Sequence, residues 1–260
     1  MKLTVLVDNN TYIDQYYLGE PAVSYFIEAE GRRILFDAGY SDIFLKNAEK
    51  MGIDLTDLTH IVLSHGHNDH TRGLLFLPPS RARLVAHPGC FVPKFCDGED
   101  IGAPFSAGEA AERWDACFSR EPVALTEHLL YLGEIPRANG FEGKRPIGTA
   151  GGQDDYLPDD TALVWRREDG LFIITGCSHS GICNIVEYAK KVCGDDRVLG
   201  ILGGFHLLED NAQLEETVAF LSGLNMKMLY PCHCVCLQAK AKMLTRMPVT
   251  EVGVGMTLEL

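Results

Sequence analysis

The stretch His60-Ile61-Val62-Leu63-Ser64-His65-Gly66-His67-Asn68-Asp69-His70 decides how this chain is read. An apolar, β-branched run ends at Ser64, and His65, His67, Asp69 and His70 follow directly behind it. Imidazole nitrogen and carboxylate oxygen at that density form a donor set for zinc, and iron or manganese would also accept it. Read as a loop, the segment lets His65 and His67 reach one ion while Asp69 and His70 turn toward a second.

Working outward, Leu3 to Val7, Ala22 to Ala29 and Arg33 to Phe36 read as strands separated by Gly, Asn and Pro. A helix then carries Phe44, Leu45, Ala48 and Met51 at helical spacing, with Ser41 as its cap and Gly52 as its stop. From about residue 88 to 158 prolines and glycines recur every few residues. This irregular region is expected to serve as lid and pocket wall. Beyond it come strands at 161–165 and 171–175, a helix at 182–192, a strand at 198–202, a helix at 213–221, a strand at 226–230 and a helix at about 237–247. Strands interleaved with helices in both halves predict an α/β (α+β) chain whose sheets pack under outer helices, as one domain over residues 1–260.

The composition narrows the function. A formal net charge of −13 with no Lys/Arg run argues against nucleic-acid partners and for a small-molecule substrate. No run approaches the roughly 20 apolar residues of a membrane helix, and Leu3 to Val7 is too short for a signal core, so the expected location is cytoplasmic, without membrane contact. Nine cysteines is an odd count that suits reduced thiols better than a disulfide framework.

Other residues carry weaker signals. His179 follows a strand end at Thr175 and precedes a helix, where side chains converge on a site. His206 follows Gly203-Gly204, whose backbone lets substrate approach closely, and is a candidate acid-base or substrate group. His60, His87 and His128 have no clustered partners and read as packing or surface residues. Cys232, Cys234 and Cys236 alternate, which in an extended segment puts them on one face as a pocket wall. Leu171 to Gly181 has the outline of a serine-hydrolase elbow, but Ser180 stands where G-x-S-x-G needs glycine.

Phe36-Asp37-Ala38-Gly39, the helix after it, and the strand with its H-x-H-x-D-H segment together resemble the metallo-β-lactamase superfamily. The resemblance implies a four-layer αββα sandwich, two divalent metal ions at one edge of the sheets, and water as the source of the nucleophile. It makes Asp37 the carboxylate that orients a ligating histidine. It also makes His233, at a Pro-bounded turn after a strand, the last ligating histidine. A longer series runs in one order: Asp69-His70-Thr71 into Gly73-Leu74, residues 133–137, Asp159 to Leu163, Thr175 to Gly181, Gly203 to Leu207, and Pro231 to Cys234. That series is similar to the subfamily labelled dihydropterin-ribofuranosylaminobenzene-phosphate synthase. The superfamily's third-motif histidine has no counterpart between Glu142 and Gly176, and His179 is the natural substitute. Where many members place a bridging aspartate the chain has Cys177, a ligand or a packing thiol.

These expectations combine into one scheme. One metal sits on His65, His67 and His179, the other on Asp69, His70 and His233. Asp69 orients the nucleophile, and His206 or a metal-bound water protonates the leaving group. The reaction expected first is hydrolysis of a small-molecule ester, in particular a phosphoester or phosphodiester. A pterin-type transferase and a non-catalytic metal-bound ligand sensor are the alternatives.

Overall fold

A computed structural model describes residues 1–260, which fall into two compact units. The first comprises residues 1–120, 147–155 and 253–260; the second comprises 121–146 and 156–252. No helix is long and apolar enough to cross a membrane.

The first unit is built on a seven-stranded sheet. Its strands are β1 (Lys2–Val7), β2 (Ser24–Ala29), β3 (Arg32–Phe36), β4 (His60–Val62), β5 (Arg83–Ala86) and β6 (Asp115–Phe118), with Thr257–Glu259 beyond β1. β1, β2 and β3 pair antiparallel, whereas β3, β4, β5 and β6 run parallel. Phe36 faces Val62 and Val62 faces Val85, so the parallel strands end nearly level. The residues just after those ends, Asp37 and Ser64, therefore become neighbours. Helix α1 (Ile43–Lys50) connects β3 to β4 and buries Phe44 and Ala48. Asp42 takes the cap position without a side-chain bond, while the Ser41 hydroxyl donates to Glu20 Oε2 at 2.7 Å and accepts the Ile43 amide at 3.3 Å. A four-residue helix α2 (Asn68–Thr71) follows β4.

Inside the expected irregular region, the first unit holds a short sheet of Lys94–Cys96, Glu99–Asp100, Thr149–Ala150 and Gln153–Asp154. Lys94 and Asp155, both buried, form an ion pair of 2.7 Å that fastens residues 147–155 to the rest of the unit. That region also contains helix α3 (Ala107–Arg113), started by a capping box in which Ser106 and Glu109 satisfy each other's backbone amides.

The second unit has a six-stranded sheet of β7 (Val123–Ala124), β8 (Leu129–Tyr131), β9 (Ala162–Arg167), β10 (Gly170–Thr175), β11 (Val198–Gly203) and β12 (Met228–Pro231). β10, β11 and β12 are parallel neighbours linked through α4 (Ile182–Cys193) and α5 (Ala212–Gly223), with α6 (Leu237–Leu244) after β12. Every residue of β10 and β11 is buried, as befits parallel strands covered on both faces. Ile182, Ile185, Val186 and Ala189 put one apolar stripe of α4 into this unit's core, and Gly194 ends the helix at φ 65°.

Candidate metal centre

In the first unit the donors are organised by Asp37, which is fully buried just beyond β3. Its Oδ1 accepts the Ser64 amide at 2.7 Å. Its Oδ2 accepts both the Ser64 hydroxyl and His70 Nδ1, each at 2.7 Å. This fixes the proton of His70 on Nδ1 and leaves Nε2 with a lone pair. Ser64 passes the same instruction on: its one proton goes to Asp37, so its oxygen accepts from His65 Nδ1 at 2.9 Å. His65 also presents Nε2 as a base. A single carboxylate thus sets two imidazoles in the tautomer that a cation requires.

Around that carboxylate the rings gather closely. His65 lies edge-on to His67 with centroids 4.7 Å apart and tilted to His70 at 4.2 Å. Asp69 Oδ2 is 3.5 Å from His70 Nε2. The turn that permits this depends on Gly66, because a Cβ there would stand 2.3 Å from the Cys90 carbonyl oxygen. The segment is not a plain loop: His67 is the cap of α2, and its carbonyl accepts the Thr71 hydroxyl at 2.9 Å. Ala38 N binds the His70 carbonyl and Gly73 N binds the Gly39 carbonyl, clamping α2 to the residues after β3.

In the second unit the ends of β10, β11 and β12 lie side by side and carry Cys177 and His179, His206, and His233 respectively. The His179 and His206 rings approach to 4.4 Å between centroids. Gly204 holds the first two turns together: its carbonyl accepts the Thr175 and Ser178 hydroxyls at 3.0 and 2.7 Å, and its amide binds the Gly176 carbonyl. Ser178 has φ 60°, so the chain between Cys177 and His179 is not extended and the two side chains do not share a direction. Cys234 accepts the His206 amide on Sγ at 3.2 Å, and Cys236 caps α6 through Sγ. The expected one-faced row of Cys232, Cys234 and Cys236 is therefore broken, since His233 turns the backbone at φ 52°.

Nine non-glycine residues hold positive φ, and four of them, Asp37, Ser178, His206 and His233, sit at the strand ends that carry these donors.

Two further residues shape the second unit's turn and escaped the sequence reading. Asp160, fully buried ahead of β9, accepts the Ser180 amide at 2.9 Å and the Ser180 hydroxyl. Burial lifts its carboxyl to about 6, against the downward pull of those Ser180 bonds. Glu142, buried, accepts the amides of Cys183 and Asn184 at the start of α4. Their signal in the sequence is an acidic residue where an apolar element begins, Asp160 before Ala162-Leu163-Val164 being the clearer one. The three histidines read as bland behave so: His60 opens β4, His87 caps a short 3-10 turn through Nδ1, and His128 packs on Trp165.

Buried imidazoles with Nε2 directed as a base, beside a carboxylate and at parallel strand ends, form a candidate metal-binding donor set. A sequence profile described as metallo-β-lactamase superfamily matches residues 18–87, which include Asp37 and the whole histidine segment. A crystal structure described as a metal-dependent hydrolase of the β-lactamase superfamily superposes with TM-score 0.87 at 30% identity, covering 100% of this chain and 99% of the other. The chain belongs to the metallo-β-lactamase superfamily. It is 31% identical over 249 residues to an uncharacterised protein of Methanocaldococcus jannaschii, covering 93% of each. It is also 29% identical over 264 residues to the 7,8-dihydropterin-6-methyl-4-(β-D-ribofuranosyl)-aminobenzene-5'-phosphate synthase of the same organism, covering 92% of this chain and 89% of that one.

Proposed function

We propose that the protein is a hydrolase of a small-molecule ester, in particular a phosphoester or phosphodiester, working with two divalent metal ions, zinc being the first choice. His65, His67 and His179 would hold one ion. Asp69, His70 and His233 would hold the other, and Cys177 is either a further donor to it or a packing thiol. The observation that carries this reading is the tautomer relay: Asp37, directly and through Ser64, keeps the protons of His70 and His65 on Nδ1. A merely structural histidine has no need of two such instructions. The donor set of nitrogen, carboxylate and thiolate fits zinc.

Bound there, the ions supply Lewis acidity toward the attacked oxygen and acidify a water. The chain's own groups do the rest. Asp69, less buried than the histidines, takes the proton of the attacking water on a carboxylate oxygen and fixes its direction. His206, tilted against His179, returns a proton to the leaving oxygen from a ring nitrogen. Asp37 stays ionised and holds the imidazoles still.

Elemental analysis of protein purified without chelator is expected to find close to two metal ions per chain. His179→Ala is expected to lose one of them, and Cys177→Ala to keep both while binding one more weakly. Metal content near zero, with no uptake on reconstitution, would overturn the reading. A second reading is favoured by one observation, the 29% identity across nearly the whole of a named synthase. A pterin-type transferase would turn over only with a phosphoribosyl co-substrate, whereas the hydrolase cleaves generic phosphodiesters alone, and a substrate panel with and without that co-substrate separates them.

A further inference from the structure

Arg72 follows α2 immediately and lies at the surface, yet it is held. Its guanidinium carbon sits 4.4 Å from the Tyr40 ring centroid. Tyr40 is itself anchored, because its amide binds Glu20 Oε1 at 2.9 Å. Three other arginines are neutralised by carboxylates: Arg33 by Asp57 at 2.6 Å, Arg167 by Asp169 at 2.9 Å, Arg197 by Asp195 at 2.8 Å. Arg72 forms no ion pair and donates no hydrogen bond from its guanidinium, although the chain carries 36 acidic residues against 23 basic ones. A planar cation stacked on an aromatic face keeps its N–H edge available, which is the geometry that grips an oxyanion with two parallel bonds.

Arg72 lines a cavity of about 290 Å³ together with Tyr40, Asn68, Asp100, Gly102, Ala103 and Pro104. Asn68 stands between His67 and Asp69, so one wall of the cavity is the histidine segment itself. Asn68 is fixed in place, its amide on the Ile101 carbonyl at 2.8 Å and its Nδ2 on the Asp100 carbonyl at 3.2 Å. The Asp100 carboxylate gives Oδ1 to the Gly102 amide at 2.9 Å and does not reach Arg72. The volume is near the lower limit of roughly 300 Å³ for small-molecule pockets, so it suits one end of a ligand, not the whole of it.

We propose that Arg72, stacked on Tyr40, is the anchor of a subsite in the first unit that receives an oxyanion, phosphate or carboxylate, carried by the substrate away from its reacting bond. The placement beside the histidine segment rests on the proposed metal hydrolase only for what happens to the ligand once it is held. In a chain of net charge −13, an unneutralised guanidinium at this point also offsets the general repulsion of an anionic substrate.

The test uses the metal-loaded full chain, with the Arg72 Nε–H resonance, identified by its loss in Arg72→Gln, as reporter. Inorganic phosphate and acetate are the probes, and they distinguish the two oxyanions. The Arg72 signal is expected to move and saturate with at least one of them. Tyr40→Ala is expected to weaken that saturation about tenfold through loss of the stack, and Asp100→Asn to strengthen it. In turnover assays, Arg72→Gln is expected to raise KM about tenfold for a phosphodiester bearing a remote carboxylate, leaving kcat and the KM of a neutral-tailed analogue unchanged. A signal that stays still, or drifts without saturating for both probes, overturns the subsite even if turnover is intact. Saturation at Arg72 without turnover of any ester sustains the subsite and sinks the hydrolase reading instead.

Discussion

At the scale of single residues the molecule turns on Asp37. It makes no direct approach to a substrate, yet the protons of two imidazoles depend on it. Asp37→Asn keeps the size of the side chain and can place an N–H where an acceptor stood, which pushes the His70 proton to Nε2. The expected outcome is a 10- to 100-fold loss of metal affinity, by the usual weight of such outer carboxylates, with the melting temperature of the metal-free protein little changed. Competition against a fluorescent chelator measures it, and unchanged affinity would show that the relay has no influence on binding. Asp37 could be proposed from the sequence because it precedes Gly39 in a recognisable order with the histidine segment. Ser64 could not, since a serine at the end of a strand has many uses and nothing in its spacing says that its one proton is already committed. The role of Asp160, though not its presence, was hidden for a related reason. Its partner Ser180 lies 20 residues away, joined to it only by the folded course of β9 and β10.

At the scale of elements, the parallel strands carry the design, because their level ends deliver donors from distant parts of the chain to one edge of each sheet. The alternation and apolar runs of those strands were plain in the sequence, and so were the helices at 182–192 and 213–221, which the structure gives as Ile182–Cys193 and Ala212–Gly223. What failed were local conformations governed by tertiary partners. The histidine segment reads as a loop, yet it winds into α2 because Gly66 lets it pass under Cys90 and because Ala38 and Gly39 clamp its far side. Cys177 and His179, two residues apart, would point the same way in an extended turn, yet Ser178 takes a left-handed conformation while giving its hydroxyl to Gly204. Gly66→Ala tests the first of these. The added methyl must displace the Cys90 backbone, so the variant is expected to lose about 1–3 kcal/mol of stability and, with the shifted turn, its metal on His65 and His67. Urea denaturation and metal analysis of the same sample would read both, and a fully stable, metal-replete variant would contradict the account of the turn.

At the scale of the whole molecule, charge sets what the surface tolerates. With a net charge of −13 the protein is expected not to cleave long single-stranded or duplex nucleic acid at useful rates, and gel assays across a salt series check this. Robust, salt-sensitive cleavage would contradict it. One contributor to the pH dependence of stability is His60, whose pKa burial depresses first, followed by the charges of Arg32 and Arg83. Because the folded value lies below the unfolded 6.5, the folded state takes up fewer protons, so stability is intact above pH 6.5 and falls as pH drops below it. His60→Gln should flatten that fall in melting curves taken on metal-free protein between neutral and mildly acidic pH. The chain's order adds a different consequence. The outer edge of β1 is covered only by Thr257–Glu259, within the last of three separate segments that make up the first unit. On the ribosome, where synthesis is vectorial, the apolar strand Lys2–Val7 therefore waits with an open edge until residues 257–259 have emerged. Nascent chains of this protein are candidates for edge-to-edge association, and a version stopped at residue 252 should leave a translating cell as aggregate, not as a smaller soluble enzyme.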